Sequence, residues 1–159
     1  MKPLTQAWLI HDRINRAFIE AISPEGWPGK ASKAKDVSNQ FAHIHNVRLM
    51  WLKSIDQGLV EGVSKAEATL SREEICDLLR QSAAKVAGVI DEAVAKGGRV
   101  KNFKPSVEAF VLYLVSHESN HRAMAELALR QLGHPISEKA AYGQWEWGSR
   151  LSELEKELA

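Results

Sequence analysis

The chain has little of several features that mark particular classes of protein. Its single cysteine, Cys76, excludes an internal disulfide. The 21 lysines and arginines balance 20 aspartates and glutamates, and the two signs are mixed along the chain. We therefore expect no basic surface for nucleic acid or an anionic membrane. No apolar run approaches the roughly 20 residues that cross a bilayer, so a membrane span is not expected either.

The N-terminus lacks the pattern of a secretory signal, in which a basic stretch precedes an apolar stretch and a small-residue cleavage site. We therefore expect a cytoplasmic protein. A length of 159 residues is typical of one domain, and no internal repeat, low-complexity segment or linker indicates a second one. The expected organisation is a single domain over residues 1–159, with a core at about 4–135 and a C-terminal tail at 136–159.

Apolar residues at helical spacing run through almost the whole chain, and strand-like alternation is absent. Spacings of three and four residues predict a first helix over residues 4–22, which Pro24 and Gly26 end. A second helix is predicted from about Asp36. Its apolar positions are too many for one narrow stripe, so we expect it to be buried on two sides.

Two further helices follow in the prediction. Ser71 and Glu74 have the spacing of a capping box and predict the start of the third helix. Pro105 is assigned to the first turn of a fourth helix, which continues to Leu132. Four helices of this length predict an all-α protein with the fold of a four-helix bundle. The short C-terminal tail is expected to pack over one end of the bundle.

The fourth predicted helix carries two histidines four residues apart, in the sequence HESNHR at residues 117–122. Four residues turn an α-helix by about 400°, so His117 and His121 project from the same face. Both rings can then share one divalent metal ion and supply two of the three protein ligands of a site with an open position. The third ligand should lie on another helix of the bundle.

The second helix offers two candidates for that third ligand, His43 and His45. Their directions differ by about 200°, so both cannot face one metal ion. A helical wheel places His45 nearer the centre of the apolar residues and favours it. His11, on the apolar stripe of the first helix, is an outside candidate. The residues alone leave the choice open.

These motifs together resemble a known family. The segments FAHI at 41–44, WL at 51–52 and HESNHR at 117–122, with residues 127–133 downstream, are similar to the DinB family, which is also grouped with YfiT-type metal-dependent hydrolases. The resemblance covers about residues 4–135. It implies a four-helix bundle, often dimeric, that binds a divalent metal such as zinc or nickel through three histidines.

Carried over to this chain, the resemblance implies His117 and His121 as the ligand pair on the fourth helix. The ligand on the second helix tends to precede an aromatic-leucine pair by eight and nine positions, and His43 meets that requirement. The resemblance therefore favours His43 where the wheel favours His45. Arg48 differs from the acidic residue often found at its position in the family.

Residues 117–121 also match H-E-x-x-H, a zinc metalloprotease signature in which the glutamate activates water. Two observations count against that interpretation. No sheet is predicted beside the helix, and Met124 and Leu127 stand where the longer form of the motif has a glycine and a third histidine. Glu118 lies about 100° around the helix from His117, so we expect it to face a neighbouring helix or solvent.

A tris-histidine site leaves a coordination position at which bound water or a bound thiol becomes a nucleophile near neutral pH. Two reaction classes follow: hydrolysis, and transfer of a low-molecular-weight thiol to an electrophile. The second is implied by the resemblance, as are a small-molecule substrate and a homodimer. The alternative is a non-enzymatic, dimeric, stress-associated binding protein whose metal is structural or vestigial.

Other chemically notable residues have simpler expected roles. Cys76 is expected to be a buried small hydrophobe, and Trp145 and Trp147 are expected to anchor the core or an interface. Arg122 could bind a substrate anion near the metal, although a salt bridge to an adjacent helix is the commoner arrangement. The loops at 23–35, 56–72 and 97–105 and the C-terminal tail are expected to shape the pocket.

Overall fold

The computed structural model describes residues 1–31 and 36–159, so the part of the predicted loop at 32–35 lies outside the described residues. Over the described ranges the chain is all-helical and has no strand, as predicted. None of the helices in these ranges is long and apolar enough to cross a membrane. The helices are α1 (Pro3–Glu20), α2 (Val37–Ile55), α3 (Arg72–Ala95), α4 (Val107–Gln131), α5 (Glu138–Gly143) and α6 (Trp147–Leu158), with a 3-10 turn at Gln57–Val60.

Helices α1 to α4 form the bundle. α1 and α2 each pack against both α3 and α4, so they lie diagonally across from one another. α2 is therefore covered on two sides, as its many apolar positions predict. This arrangement also makes α2 and α4 neighbours, which places the predicted ligands of the two helices along one helix–helix seam.

The structure confirms the predicted cap at the start of α3 and corrects the predicted start of α4. At α3 the Ser71 hydroxyl accepts from the Glu74 N–H at 3.2 Å, and the Glu74 carboxylate accepts from the Ser71 N–H at 2.8 Å, which confirms the capping box. The prediction for Pro105 was wrong. Ser106 is the N-cap of α4 and accepts from Ala109, so the proline lies outside the helix.

The apolar core is divided into two clusters by a polar layer across the middle of the bundle. One cluster centres on Phe18, Phe41 and Leu129, and the other on Trp8, Leu52 and Phe110. Buried side chains from all four helices form the layer between them: His11, Asp12, Asn15, His45, Arg48, Ser82 and Glu118. The apolar periodicity of the helices does not reveal this layer.

Arg48 is the central residue of the polar layer. Its guanidinium donates to both oxygens of Glu118 and to Asp12 Oδ1, each at 2.7 Å, and lies 4.8 Å from the centre of the Trp8 ring. Burial alone would raise the pKa of Glu118, but the charge and hydrogen bonds of Arg48, with the bond from His11, outweigh it and lower the pKa to about 2. Both charges are therefore kept inside the bundle.

The C-terminal tail packs along the side of α1, and the prediction that it covers one end of the bundle was wrong. Leu154 of α6 is buried in a small cluster with Ile10 and Ile14 of α1. Ion pairs flank this contact, because Arg13 lies 2.8 Å from Glu153 and Arg16 lies 2.8 Å from Glu157. The apolar and acidic residues of α6 thus meet apolar and basic residues on one face of α1.

Candidate metal centre

Three histidines converge at the seam between α2 and α4. One nitrogen from each of His43, His117 and His121 lies within 4.8 Å of those of the other two. The ring of His121 has its centroid 4.5 Å from that of His43 and 4.5 Å from that of His117, and the remaining pair is 5.3 Å apart. The four-residue spacing on α4 produces the predicted shared face.

The spacing of these nitrogens suits a shared metal ion. An imidazole nitrogen binds zinc at about 2.0–2.1 Å, so two ligands of one ion are at most about 4.2 Å apart. The limit of 4.8 Å on the observed nitrogen spacing is close to that value. All three side chains are partly buried, so the site is shielded by protein yet still reached by solvent. Three imidazoles also suit divalent ions such as zinc and nickel.

Gln40, which was not among the predicted site residues, fixes the ring of His121. This glutamine is buried on α2, and its Oε1 accepts from His121 Nδ1 at 2.7 Å. A proton on Nδ1 leaves the lone pair on Nε2 for a metal ion, as bonds from neighbouring residues to a ligand histidine commonly do. The signal in the sequence was the position of Gln40, one helical turn before His43.

An aromatic wall borders one side of the histidine group. The ring of Tyr113 lies nearly parallel to that of His117, with centroids 6.3 Å apart and an angle of 19°. Tyr113 in turn contacts Trp51 and Phe103 edge-on or tilted, at 5.7 and 5.9 Å. Because Tyr113 is 38% exposed, this wall offers an apolar surface beside the histidines.

The structure does not bring His45 into the group. Its ring is fully buried between α2 and α3, where Nδ1 lies 3.1 Å from Ser82 Oγ and Nε2 lies 2.9 Å from the carbonyl oxygen of Ser64. Burial lowers the pKa of His45, and the charge of Arg48 lowers it further. The helical wheel correctly placed His45 toward the interior of the bundle. The three grouped histidines, however, meet at the seam between α2 and α4 and not at the centre of the bundle.

Two other candidate residues belong to the polar layer. His11 Nε2 lies 3.0 Å from Glu118 Oε2, well inside the bundle. Glu118 is fully buried, and both of its oxygens accept from Arg48, so it faces neighbouring helices as expected. A metalloprotease glutamate must reach a water on the metal. The geometry of Glu118 therefore does not support the protease interpretation.

The second and fourth helices of the bundle bring three histidines together. The chain is therefore a helical protein with a candidate tris-histidine metal centre. The chain belongs to the DinB family, whose sequence model matches residues 1–149 of 159. The match is longer than the stretch of residues 4–135 that carried the resemblance, and it reaches into α6. No curated protein is detectably similar to the chain.

Proposed function

We propose that His43, His117 and His121 hold one divalent metal ion, with zinc or nickel the expected ions, and that the protein is an enzyme acting on a small molecule. The observation that carries this proposal is the convergence of three imidazole nitrogens within 4.8 Å from two different helices. Membership of the DinB family is compatible with metal binding. The reaction we propose is either hydrolysis or transfer of a low-molecular-weight thiol.

When held by three neutral imidazoles, a divalent ion acidifies a bound water or thiol and supplies a nucleophile near neutral pH. The protein positions the ligands of the metal ion and shields the ion from solvent. Gln40 holds the His121 ring in one orientation, and partial burial of the three histidines limits the access of bulk water. The face of Tyr113 beside His117 provides a surface for an apolar part of the substrate.

The exposed apolar side chains around the histidines support a second candidate function. Met50 lies two turns after His43 on α2, and Met124 lies two turns after His117 on α4, at 54% and 40% exposure. Exposed apolar residues on one face are typical of a protein interface. The alternative is a non-enzymatic, stress-associated binding protein that dimerises through this face around a structural or vestigial metal ion.

Turnover by the metal-free and the metal-restored protein distinguishes the candidates. We would assay hydrolysis of p-nitrophenyl acetate, and conjugation of 1-chloro-2,4-dinitrobenzene with glutathione or cysteine, each with the wild type and with His43→Ala. The hydrolase predicts metal-dependent ester cleavage without thiol, and the transferase predicts metal-dependent consumption of thiol. Full metal occupancy with neither activity, and a dimer that persists, would favour the binding protein. His134→Ala, in the turn after α4, is the matched control.

A further inference from the structure

A cavity lies on the side of α4 opposite the three histidines, between α1, α4 and the C-terminal tail, with a volume of about 720 Å³. Cavities of about 300–1,000 Å³ are typical of small-molecule sites. Ser119 and Arg122 line it from α4, His11 lines it from α1, and Tyr142 and Trp145 line it from the tail. No motif in the sequence predicted a site here.

This cavity is separate from the candidate metal centre. Ser119 follows His117 by two residues and is therefore about 200° further around α4. The histidine side of α4 faces α2, whereas the Ser119 side faces α1 and the tail. A ligand in the cavity would be separated from a metal ion at the three histidines by the body of the helix.

The cavity contains Arg122, whose guanidinium donates hydrogen bonds to uncharged groups. Arg122 donates from Nε to Gln144 Oε1 at 2.7 Å, from Nη1 to Asn15 Oδ1, and from Nη2 to Ser119 Oγ at 3.5 Å. All three acceptors are uncharged. In the part of the chain that the structure describes, no carboxylate oxygen lies within 4.0 Å of Arg122, so the predicted salt bridge to an adjacent helix is not formed.

The arginines buried nearby differ from Arg122 in this respect. Each has a carboxylate partner at 2.7–2.8 Å: Arg13 with Glu153, Arg16 with Asp12, and Arg48 with Glu118. The other arginine lining the cavity, Arg130, is paired with Glu126 at 2.7 Å. Burial also lowers the pKa of Arg122, and the more distant charges of Glu118 and Glu126 do not fully offset this effect.

The hydrogen bonds of Arg122 leave two of its N–H donors for an anion. A guanidinium has five N–H donors, and three of them meet the acceptors on Gln144, Asn15 and Ser119. The remaining two can bind an oxyanion, for which arginine is well suited. Two aromatic side chains also line this cavity, with Tyr142 at 72% and Trp145 at 81% exposure. Trp145 therefore does not anchor the core, and its expected role at an interface stays a prediction.

We propose that this cavity binds a small organic anion, with its carboxylate or other oxyanion paired with Arg122 and its apolar body against Tyr142 and Trp145. The ligand class follows from the chemistry of the lining. The arginine selects a negative group, and the aromatic side chains favour an attached apolar group over a bare inorganic ion. The proposal does not depend on the proposed function of the histidine site.

Calorimetric titration of the full chain with octanoate, and with its uncharged counterpart octanamide, tests the proposal. Octanoate is expected to bind at one molecule per chain, and octanamide about tenfold more weakly or worse, because only the carboxylate makes charge-assisted bonds to Arg122. In Arg122→Gln the affinity for octanoate should fall by about tenfold or more while that for octanamide stays the same. Circular dichroism checks that the variant is folded.

Two further variants test whether octanoate binds at this cavity. Arg80→Gln removes an exposed arginine on α3, away from the cavity, and should leave octanoate binding unchanged. Trp145→Ala removes an exposed side chain, so it should keep the fold while weakening both ligands. It keeps the proposal testable if Arg122→Gln does not fold.

The proposal is overturned if octanoate does not bind, binds no better than octanamide, or binds equally well to Arg122→Gln. Because a carboxylate can also bind a metal ion, the titration is repeated on metal-depleted protein and on His43→Ala. Unchanged octanoate binding in both supports the cavity. Loss of binding in either would place the anion at the histidines and contradict the proposal.

Discussion

Arg48 of α2 and Glu118 of α4 form a bidentate ion pair inside the bundle, with Nε–Oε1 and Nη2–Oε2 both at 2.7 Å. Glu118 directly follows His117, and Arg48 lies five residues after His43. The pair therefore holds the two helices in the register at which their histidines meet. Desolvation offsets much of the attraction within a buried ion pair, so we expect this pair to contribute more to the register of the helices than to net stability.

Glu118→Gln is expected to lower the free energy of unfolding by about 3–5 kcal/mol, because it leaves Arg48 buried with only Asp12 as a charged partner. Denaturant unfolding followed by circular dichroism measures the change. Glu92→Gln, an exposed glutamate on α3 that pairs with Lys96, is the control and should change little. Equal effects of the two substitutions would show that the buried pair does not hold the bundle together.

Gln40→Leu is expected to weaken metal binding by about 10–100-fold, because the His121 ring loses the acceptor that orients it. Competition with a chromophoric chelator measures the affinity. Gln40→Glu keeps an acceptor at the same place and should retain tight binding, and Gln131→Leu at the exposed end of α4 controls for the loss of an amide. An unchanged affinity in Gln40→Leu would rule out the positioning role of this glutamine.

Cys76 is expected to react slowly with iodoacetamide in the folded protein at pH 8, and rapidly in urea. Burial raises the pKa of this thiol to about 12, so the reactive thiolate is scarce in the folded state. As pH rises, the Cys76 thiol loses its proton in the unfolded state before it does so in the folded state. The free energy of unfolding therefore falls above the ordinary thiol pKa of 9.0, by about 1 kcal/mol at pH 10. This loss is measured by denaturant unfolding at pH 8 and pH 10, and it should be absent from Cys76→Ala. Fast labelling at pH 8 without urea would contradict the burial.

Leu154→Ala is expected to loosen α6 from α1, because Leu154 fills the contact with Ile10 and Ile14. A buried leucine truncated to alanine costs about 2–5 kcal/mol. Amide hydrogen exchange should show lost protection in α6 while α1 to α4 keep theirs. Leu158→Ala, at a side chain 62% exposed, is the matched control. Loss of protection throughout the bundle would mean that the tail is an integral part of the core.

The fold was largely predictable from the sequence because it depends on local signals. Apolar spacing located the four long helices, and Ser71 with Glu74 identified the start of α3. Pro105 was misplaced because the neighbouring Ser106 hydroxyl provides a better cap, and two adjacent signals for a helix start cannot be ranked from spacing alone.

The candidate site was only partly predictable, since it depends on how the helices meet. The pair on α4 follows from the helical period, but the choice between His43 and His45 depends on the rotation of α2 between α3 and α4. That rotation is held in part by Arg48, a charged residue at a position that periodicity would assign to the core. Gln40 has only its position one helical turn before His43 as a signal, and the cavity at Arg122 has no local signature in the sequence.

The most direct test of the account is the metal content per chain, measured by elemental analysis of protein purified without a His-tag or chelator. The account predicts about one divalent ion per chain in the wild type and in His45→Gln. It predicts none in His43→Ala or His121→Ala, with helicity kept in all four proteins. No bound metal after reconstitution of the wild type, or loss of metal with His45→Gln but not with His43→Ala, would contradict it.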